Sequence, residues 1–172
     1  MYDIREATRS DANALHEHLT AVFSERLPTL FARSSLPSLE TVRDRIEENA
    51  ASPNSVVLIA TTQDRVIGTL DFEGYPRPQQ RHAGCFGMSV RREYRGRGIG
   101  TALIDQLASW AHRNGVTRLE LGVFSTNSSA IRLYERLGFE HEGRRVGAAI
   151  VNGQSVDILQ MARRLARSPA VG

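Results

Sequence analysis

No lysine occurs in this sequence; all 22 of its basic side chains are arginine. That absence excludes a Schiff-base lysine and a Walker-type phosphate loop, whose lysine must reach the terminal phosphates. Cysteine appears once, at Cys85, which excludes a disulfide framework within the chain and any multi-cysteine zinc or iron–sulfur site. Long apolar runs are missing too. The longest, Val56 to Ala60, is far short of the roughly 20 residues of a membrane-spanning helix, so no membrane partner is expected. The opening Met1-Tyr2-Asp3-Ile4-Arg5 carries an acid early and no apolar stretch, so it does not read as a secretory signal; a cytoplasmic location is expected.

What is present is an ordinary globular composition, 41% hydrophobic and 24% charged. The 172 residues suit one domain, since about 150 residues per domain is usual; we expect it over residues 1–166, with 167–172 as a tail. Excess positive charge is only +3, too little to call for nucleic acid. A nucleic-acid binder would also place aromatics among clustered arginines, whereas the six Phe, four Tyr and one Trp are spread along the chain.

Hydrophobic period and turn residues give the element order. Tyr2 to Ala7 reads as a strand, followed by a helix capped by Ser10 or Asp11, with Leu15, Leu19, Val22 and Phe23 on one face. Ser38 caps a second helix striped by Leu39, Val42 and Ile46. Val56 to Ala60 is apolar on both sides and is expected in the sheet interior. A turn at Gln63-Asp64 leads into the strand Arg65 to Phe72, and Cys85 to Val90 forms another. Ile99, Ala102, Leu103, Leu107 and Trp110 stripe a helix ended by Asn114-Gly115. Arg118 to Phe124 is a strand, Asn127 to Leu137 a helix stopped by Gly138, and Asn152-Gly153 turns a terminal hairpin of Arg145–Val151 and Gln154–Arg163. Hairpin strands followed by one crossover predict a mixed α/β sheet.

The chemistry concentrates at Arg95-Gly96-Arg97-Gly98-Ile99-Gly100-Thr101, between a strand and a helix start. Unpaired amides and partial positive charge at a helix N-terminus bind anions, and glycine lets a phosphate approach the backbone. Arg91, Arg92, Arg95 and Arg97 add guanidinium forks, so a pyrophosphate is the natural guest. The glycines at 96, 98 and 100 do not match G-x-G-x-x-G and fall past mid-chain, which excludes a dinucleotide fingerprint.

Arg95-Gly96-Arg97-Gly98-Ile99-Gly100 resembles the R/Q-x-x-G-x-G/A signature of the GNAT superfamily of acetyl-CoA-dependent N-acetyltransferases. Asn127-x-x-Ala130-x-x-Leu133-Tyr134-x-x-Leu137-Gly138-Phe139 and Ile4-Arg5-x-Ala7-x-x-x-Asp11 resemble two further segments of that family, in its order. The resemblance implies an acyl-CoA N-acyltransferase fold, a mixed, mostly antiparallel twisted sheet flanked by helices. It implies acetyl transfer to a primary amine by direct attack in a ternary complex, with acetyl-CoA as cosubstrate and no metal. It also implies site residues: the amides from Arg95 through Gly96, Arg97, Gly98, Ile99 and Gly100 to Thr101 hold the pyrophosphate. Met88, Ser89 and Val90 pair with the pantetheine arm and polarise the thioester, Asn127 contacts the cofactor from the opposite wall, and Tyr134 protonates the departing thiolate.

For the proton acceptor the residues leave three alternatives: Glu73, His82 and Glu120. Cys85 reads as a small strand residue rather than an acyl carrier. His16 and His18, two apart on a helix, do not face one metal. The C-terminal segment from Phe139 to Arg163 is similar to branches that acetylate amino acids, phosphinothricin-type compounds or ribosomal-protein N-termini. A small amino-acid-like acceptor is expected first, with Arg33 or Arg77 as candidate carboxylate clamps. A protein N-terminal acetyltransferase and a non-catalytic acetyl-CoA-binding module are the alternatives. A homodimer joined through the terminal hairpin is expected.

Overall fold

The computed structural model describes residues 1–28, 35–63 and 65–166. Arg33, Asp64 and the expected tail 167–172 lie outside the described residues. Among the described residues seven strands form one sheet: β1 Asp3–Glu6, β2 Val56–Thr62, β3 Arg65–Gly74, β4 Ala83–Val90, β5 Arg118–Phe124, β6 Glu140–Val151 and β7 Gln154–Arg164. Their spatial order is β1-β2-β3-β4-β5-β7-β6. Every neighbouring pair is antiparallel except β4–β5, and the chain crosses over a second time, from β5 past β7 to β6, where one crossover was expected. Among the described residues four α-helices flank the sheet: α1 Ala12–Ser24, α2 Leu39–Ala51, α3 Ile99–Arg113 and α4 Ser128–Arg136.

Local chemistry accounts for most boundaries. Ser38 caps α2 by accepting a hydrogen bond from the Thr41 amide at 3.1 Å. Gly138, at φ +82°, ends the α4 region in the left-handed conformation, and Asn152 and Gly153 both adopt positive φ in the hairpin turn. The cap of α1 differs from expectation. A short 3₁₀ turn, Arg9–Asp11, precedes the helix, and the Asp11 carboxylate reaches back to the Thr8 amide at 2.8 Å. Arg5 grips the same carboxylate with two donors at 2.7 Å, so Asp11 pins strand to helix instead of capping α1. The hairpin also starts earlier than expected, because residues 140–145 pair with β7 across two irregularities in register.

Two apolar layers cover the sheet. Leu58, Leu70, Phe72, Leu119 and Leu121 pack on one face against Leu103, Leu107 and Trp110 of α3. Val57, Ile59 and Val66 pack on the other against Leu15 of α1 and Val42 and Ile46 of α2. β2 serves both layers, which explains its unbroken apolar run, although it lies one strand from the edge.

Candidate active site

The sheet splits beside β4. β4 stays paired with β3 as far as Val90, and β5 stays paired with β7 as far as Phe124. Between themselves, β4 and β5 pair only at Ala83↔Arg118, Gly84↔Leu119 and Cys85↔Glu120. Beyond Cys85 the two strands diverge, and the space between them belongs to a continuous cleft of about 1470 Å³.

Antiparallel pairing alternates which edge a residue's amide and carbonyl face. Arg91 donates its amide to Ile67 and Tyr75 donates its amide to the Ala83 carbonyl, with the register unbroken between them. Ser89, Gly87 and Cys85 therefore turn their backbone groups toward β3. Phe86, Met88 and Val90 turn theirs toward the gap. This corrects part of the expectation: Met88 and Val90 face the cleft with their backbone, whereas Ser89 is committed to Thr69. The Ser89 side chain is committed as well, its hydroxyl lying 2.9 Å from Nε2 of His18 on α1.

At one end of the cleft stands the start of α3. Its first helical bond is Ala102 to the Gly98 carbonyl, which leaves the amides of Ile99, Gly100 and Thr101 outside the helix ladder. Gly96 and Gly98 have φ of +72° and +80°, in the left-handed region, and a Cβ on either would meet nothing within 4 Å. Glycine is needed here for backbone conformation and not for space. Replacing Gly98 with alanine is expected to cost about 1–2 kcal/mol of backbone strain. The result should be a lower melting temperature and a raised Kd for acetyl-CoA in calorimetric titration. Gly100 answers a different need. A Cβ there would stand 3.3 Å from both Leu133 and Met88, where α3, α4 and β4 converge.

The four arginines of this segment divide, and two of them depart from the phosphate role expected for their side chains. Arg91 is buried and donates Nε to the Val66 carbonyl at 2.9 Å. Arg95 forms a bidentate pair with Glu25 at 2.8 and 2.9 Å and donates Nε to the Val90 carbonyl. Arg92 and Arg97 are exposed, with the Arg97 guanidinium 5.5 Å above the Tyr94 ring.

On the opposite wall, Asn127 lines the cleft, and its side-chain oxygen caps α4 by accepting from the Ala130 amide at 3.2 Å. Tyr134 lines the cleft from α4, 8% exposed and packed edge-on against Phe86 and Phe139. Burial, with a smaller contribution from nearby Cys85, pushes its phenol up to about 12. It therefore carries its proton at every physiological pH.

The far end lies on the face of β3 and β4 that α1 and α2 cover. Glu73 lines the cleft and is exposed. Asp71, two residues earlier and opposite Gly87 across the register, also lines it. Burial raises the Asp71 carboxyl above the usual range, while Arg45 opposes that shift and Glu73 adds to it. Arg45 reaches over from α2, its Nε 3.4 Å from Asp71 Oδ2. Gly87 leaves open space in this floor, because a Cβ there would touch nothing within 4 Å.

The other proton-acceptor candidates fall away. His82 is exposed at the foot of β4, outside the cleft lining, and its carbonyl accepts from the Thr117 and Arg118 amides. Glu120 is held by the Tyr75 hydroxyl at 2.8 Å and by Arg118 Nε at 2.6 Å. Cys85 opens onto the cleft yet is walled in on most sides; desolvation and then the Glu120 carboxylate push its thiol up, against a reactive thiolate. Arg77, a proposed clamp, is exposed outside the cleft lining. Among the described residues no group of three His, Cys, Asp or Glu side chains is placed to hold a metal ion. Asp71 and Arg45 were missed in the sequence because nothing local distinguishes them from a solvated strand acid and a helix-surface arginine.

Residues 13–139 match the Acetyltransferase (GNAT) family, and this chain belongs to it. It is 36% identical over 121 residues to the L-amino acid N-acetyltransferase AaaT of Escherichia coli strain K12, a match covering 68% of this chain and 73% of that one. Its fold superposes on a ribosomal-protein-alanine N-acetyltransferase from Brucella melitensis with a TM-score of 0.83 at 28% identity, covering 95% of this chain and 99% of the other. It shares the fold of a phosphinothricin acetyltransferase from Sinorhizobium meliloti solved with acetyl-CoA, at a TM-score of 0.84 and 22% identity, covering 99% and 94%. The protein is an N-acetyltransferase with acetyl-CoA as its acyl donor. The amide cradle at α3 and the unpaired strand edge at Met88 fit the donor's pyrophosphate and its amide-bearing pantetheine arm.

Proposed function

We propose that this enzyme acetylates the α-amine of a free amino acid or a close analogue, by direct attack of the amine on the thioester in a ternary complex. The observation that carries the reading is the single cleft through the split sheet. Its α3 end offers an amide cradle, its Asp71–Glu73 end offers carboxylates for a cationic amine, and Met88 and Tyr134 lie on its walls. The amides of Ile99 to Thr101, with those of Gly96 to Gly98 before them, bind the pyrophosphate, whereas the Arg95 amide donates to the Arg92 carbonyl. The Met88 amide polarises the thioester carbonyl where charge develops. Glu73 accepts the proton from the attacking ammonium, directly or through water, and Tyr134 donates a proton to the leaving thiolate. Asn127 holds the cofactor side of α4 in place through its cap.

The 36% identity to an L-amino acid N-acetyltransferase supports the acceptor class. The likeness to a ribosomal-protein-alanine N-acetyltransferase supports a peptide N-terminus as the second reading. A thiol-release screen with acetyl-CoA against amino acids, polyamines, aminoglycosides and short peptides tests both. Release with free amino acids is the expected outcome. Release with peptides alone moves the assignment to the second reading, and no release with any of them refutes both. The need for acetyl-CoA supports a cytoplasmic setting. Val146 and Ile150, 81% and 70% exposed on β6 at the sheet edge, support a homodimer through the β6–β7 hairpin.

A further inference from the structure

We infer that Arg45 is the carboxylate clamp of the acceptor site, reading the α-carboxylate of the incoming amino acid while Asp71 and Glu73 receive its ammonium. The inference rests on the amino-acid reading above and deepens it.

A free amino acid carries opposite charges on adjacent carbons, so its site needs one cation beside one or more carboxylates. Three arginines line the cleft among the described residues: Arg45, Arg95 and Arg136. Arg95 is occupied by Glu25 through both terminal nitrogens. Arg136 comes from α4, across the gap from the acidic floor. Arg45 comes from α2 and stands over that floor. Its contact with Asp71 is long, 3.4 Å from Nε, and its side chain is 28% exposed, so the rest of the guanidinium fork is available to a bidentate carboxylate. Asp71 keeps the guanidinium directed at the floor. Gly87, opposite Asp71 on the same face, supplies the room for the amino-acid α-carbon that any larger side chain would fill.

The arrangement separates two acceptor classes that share a primary amine. A free amino acid satisfies Arg45; an amino-acid amide, or the N-terminus of a peptide, presents a neutral carbonyl in that place. The test measures kcat/KM for an amino acid and for its carboxamide, in the wild type and in Arg45→Met. The wild type should prefer the acid by about 10- to 100-fold, the span of one lost charge-assisted contact. Arg45→Met should lose that preference through a raised KM for the acid, with KM for acetyl-CoA unchanged. Arg45→Lys, which keeps charge without the fork, should recover part of it. The wild-type comparison stands alone if the methionine variant does not fold. An amide used as well as the acid by the wild type overturns the clamp and leaves amino-acid acetylation intact. Release with neither compound overturns the amino-acid reading and the clamp with it.

Discussion

Replacing Tyr134 with phenylalanine should lower kcat by about 10²- to 10⁴-fold while leaving the Kd for acetyl-CoA nearly unchanged. The ring itself is structural: it packs edge-on with Phe86 at 6.0 Å and Phe139 at 5.7 Å between ring centroids, and phenylalanine preserves both contacts. Only the hydroxyl is removed, so a fall confined to kcat isolates the proton. A phenol at about 12 is at first sight a poor donor to a thiolate, whose conjugate acid ordinarily titrates near 8.5. The same environment acts on both groups. Cys85 borders this cleft, and its thiol is also raised, by desolvation first. A thiolate departing into that cleft is therefore a stronger base than in water, and the two acids are brought closer together. The pH profile offers a second check. With its phenol at about 12, Tyr134 contributes no alkaline limb below roughly pH 11. Unchanged turnover in the phenylalanine variant would remove Tyr134 from the reaction.

Acid should destabilise this protein through a residue remote from the proton transfers. His18 is fully buried between α1 and β4, with Nε2 at Ser89 Oγ and Nδ1 without a hydrogen-bond partner. Desolvation, and then the neighbouring Arg91 cation, lower its imidazole from 6.5 to about 4. Above pH 6.5 the imidazole is neutral in both folded and unfolded chains, and the group exerts no pH dependence. Between 6.5 and about 4 the unfolded chain binds a proton that the folded chain refuses, so stability falls as pH falls. The slope approaches 1.4 kcal/mol per pH unit and sums to about 3 kcal/mol at pH 4. Denaturant unfolding of the wild type and His18→Gln at pH 7.5, 6, 5 and 4.5 reads this directly. The gap between the two should narrow steadily as pH falls, because glutamine does not titrate. A constant gap across that range would mean that His18 binds its proton equally readily in the folded and unfolded chains.

The elements that were legible in the sequence share one physical origin. Ser38 before α2, Gly138 after α4, Asn152-Gly153 in the hairpin and the α3 stripe from Ile99 to Trp110 all act within a few residues along the chain. The glycine loop is of the same kind, because left-handed backbone at Gly96 and Gly98 and a helix start at Ile99 are local properties. Tyr134 could be named from the resemblance of its flanking Leu133 and Gly138-Phe139 to the family segment, and Glu73 as one of three alternatives beside His82 and Glu120. Where local signals competed, they misled. Asp11 has the chemistry of a helix cap, but Arg5 and Thr8 occupy its oxygens.

The sequence by itself determined the glycine loop with the helix start at Ile99, and excluded lysine chemistry. Only the tertiary structure decided which arginines are free to touch a ligand. Arg95 meets Glu25 from 70 positions away, Arg91 meets Val66 from 25, and His18 meets Ser89 from 71. The same holds for the acceptor end. Asp71 faces the cleft because β3 pairs with β4 in one register, and Arg45 reaches it because α2 crosses that face. A one-residue slip in that register would send Asp71 and Glu73 to the α3 side and leave the local signals untouched. Register and strand divergence depend on the whole sheet and both packed layers, and no window of neighbouring residues encodes them.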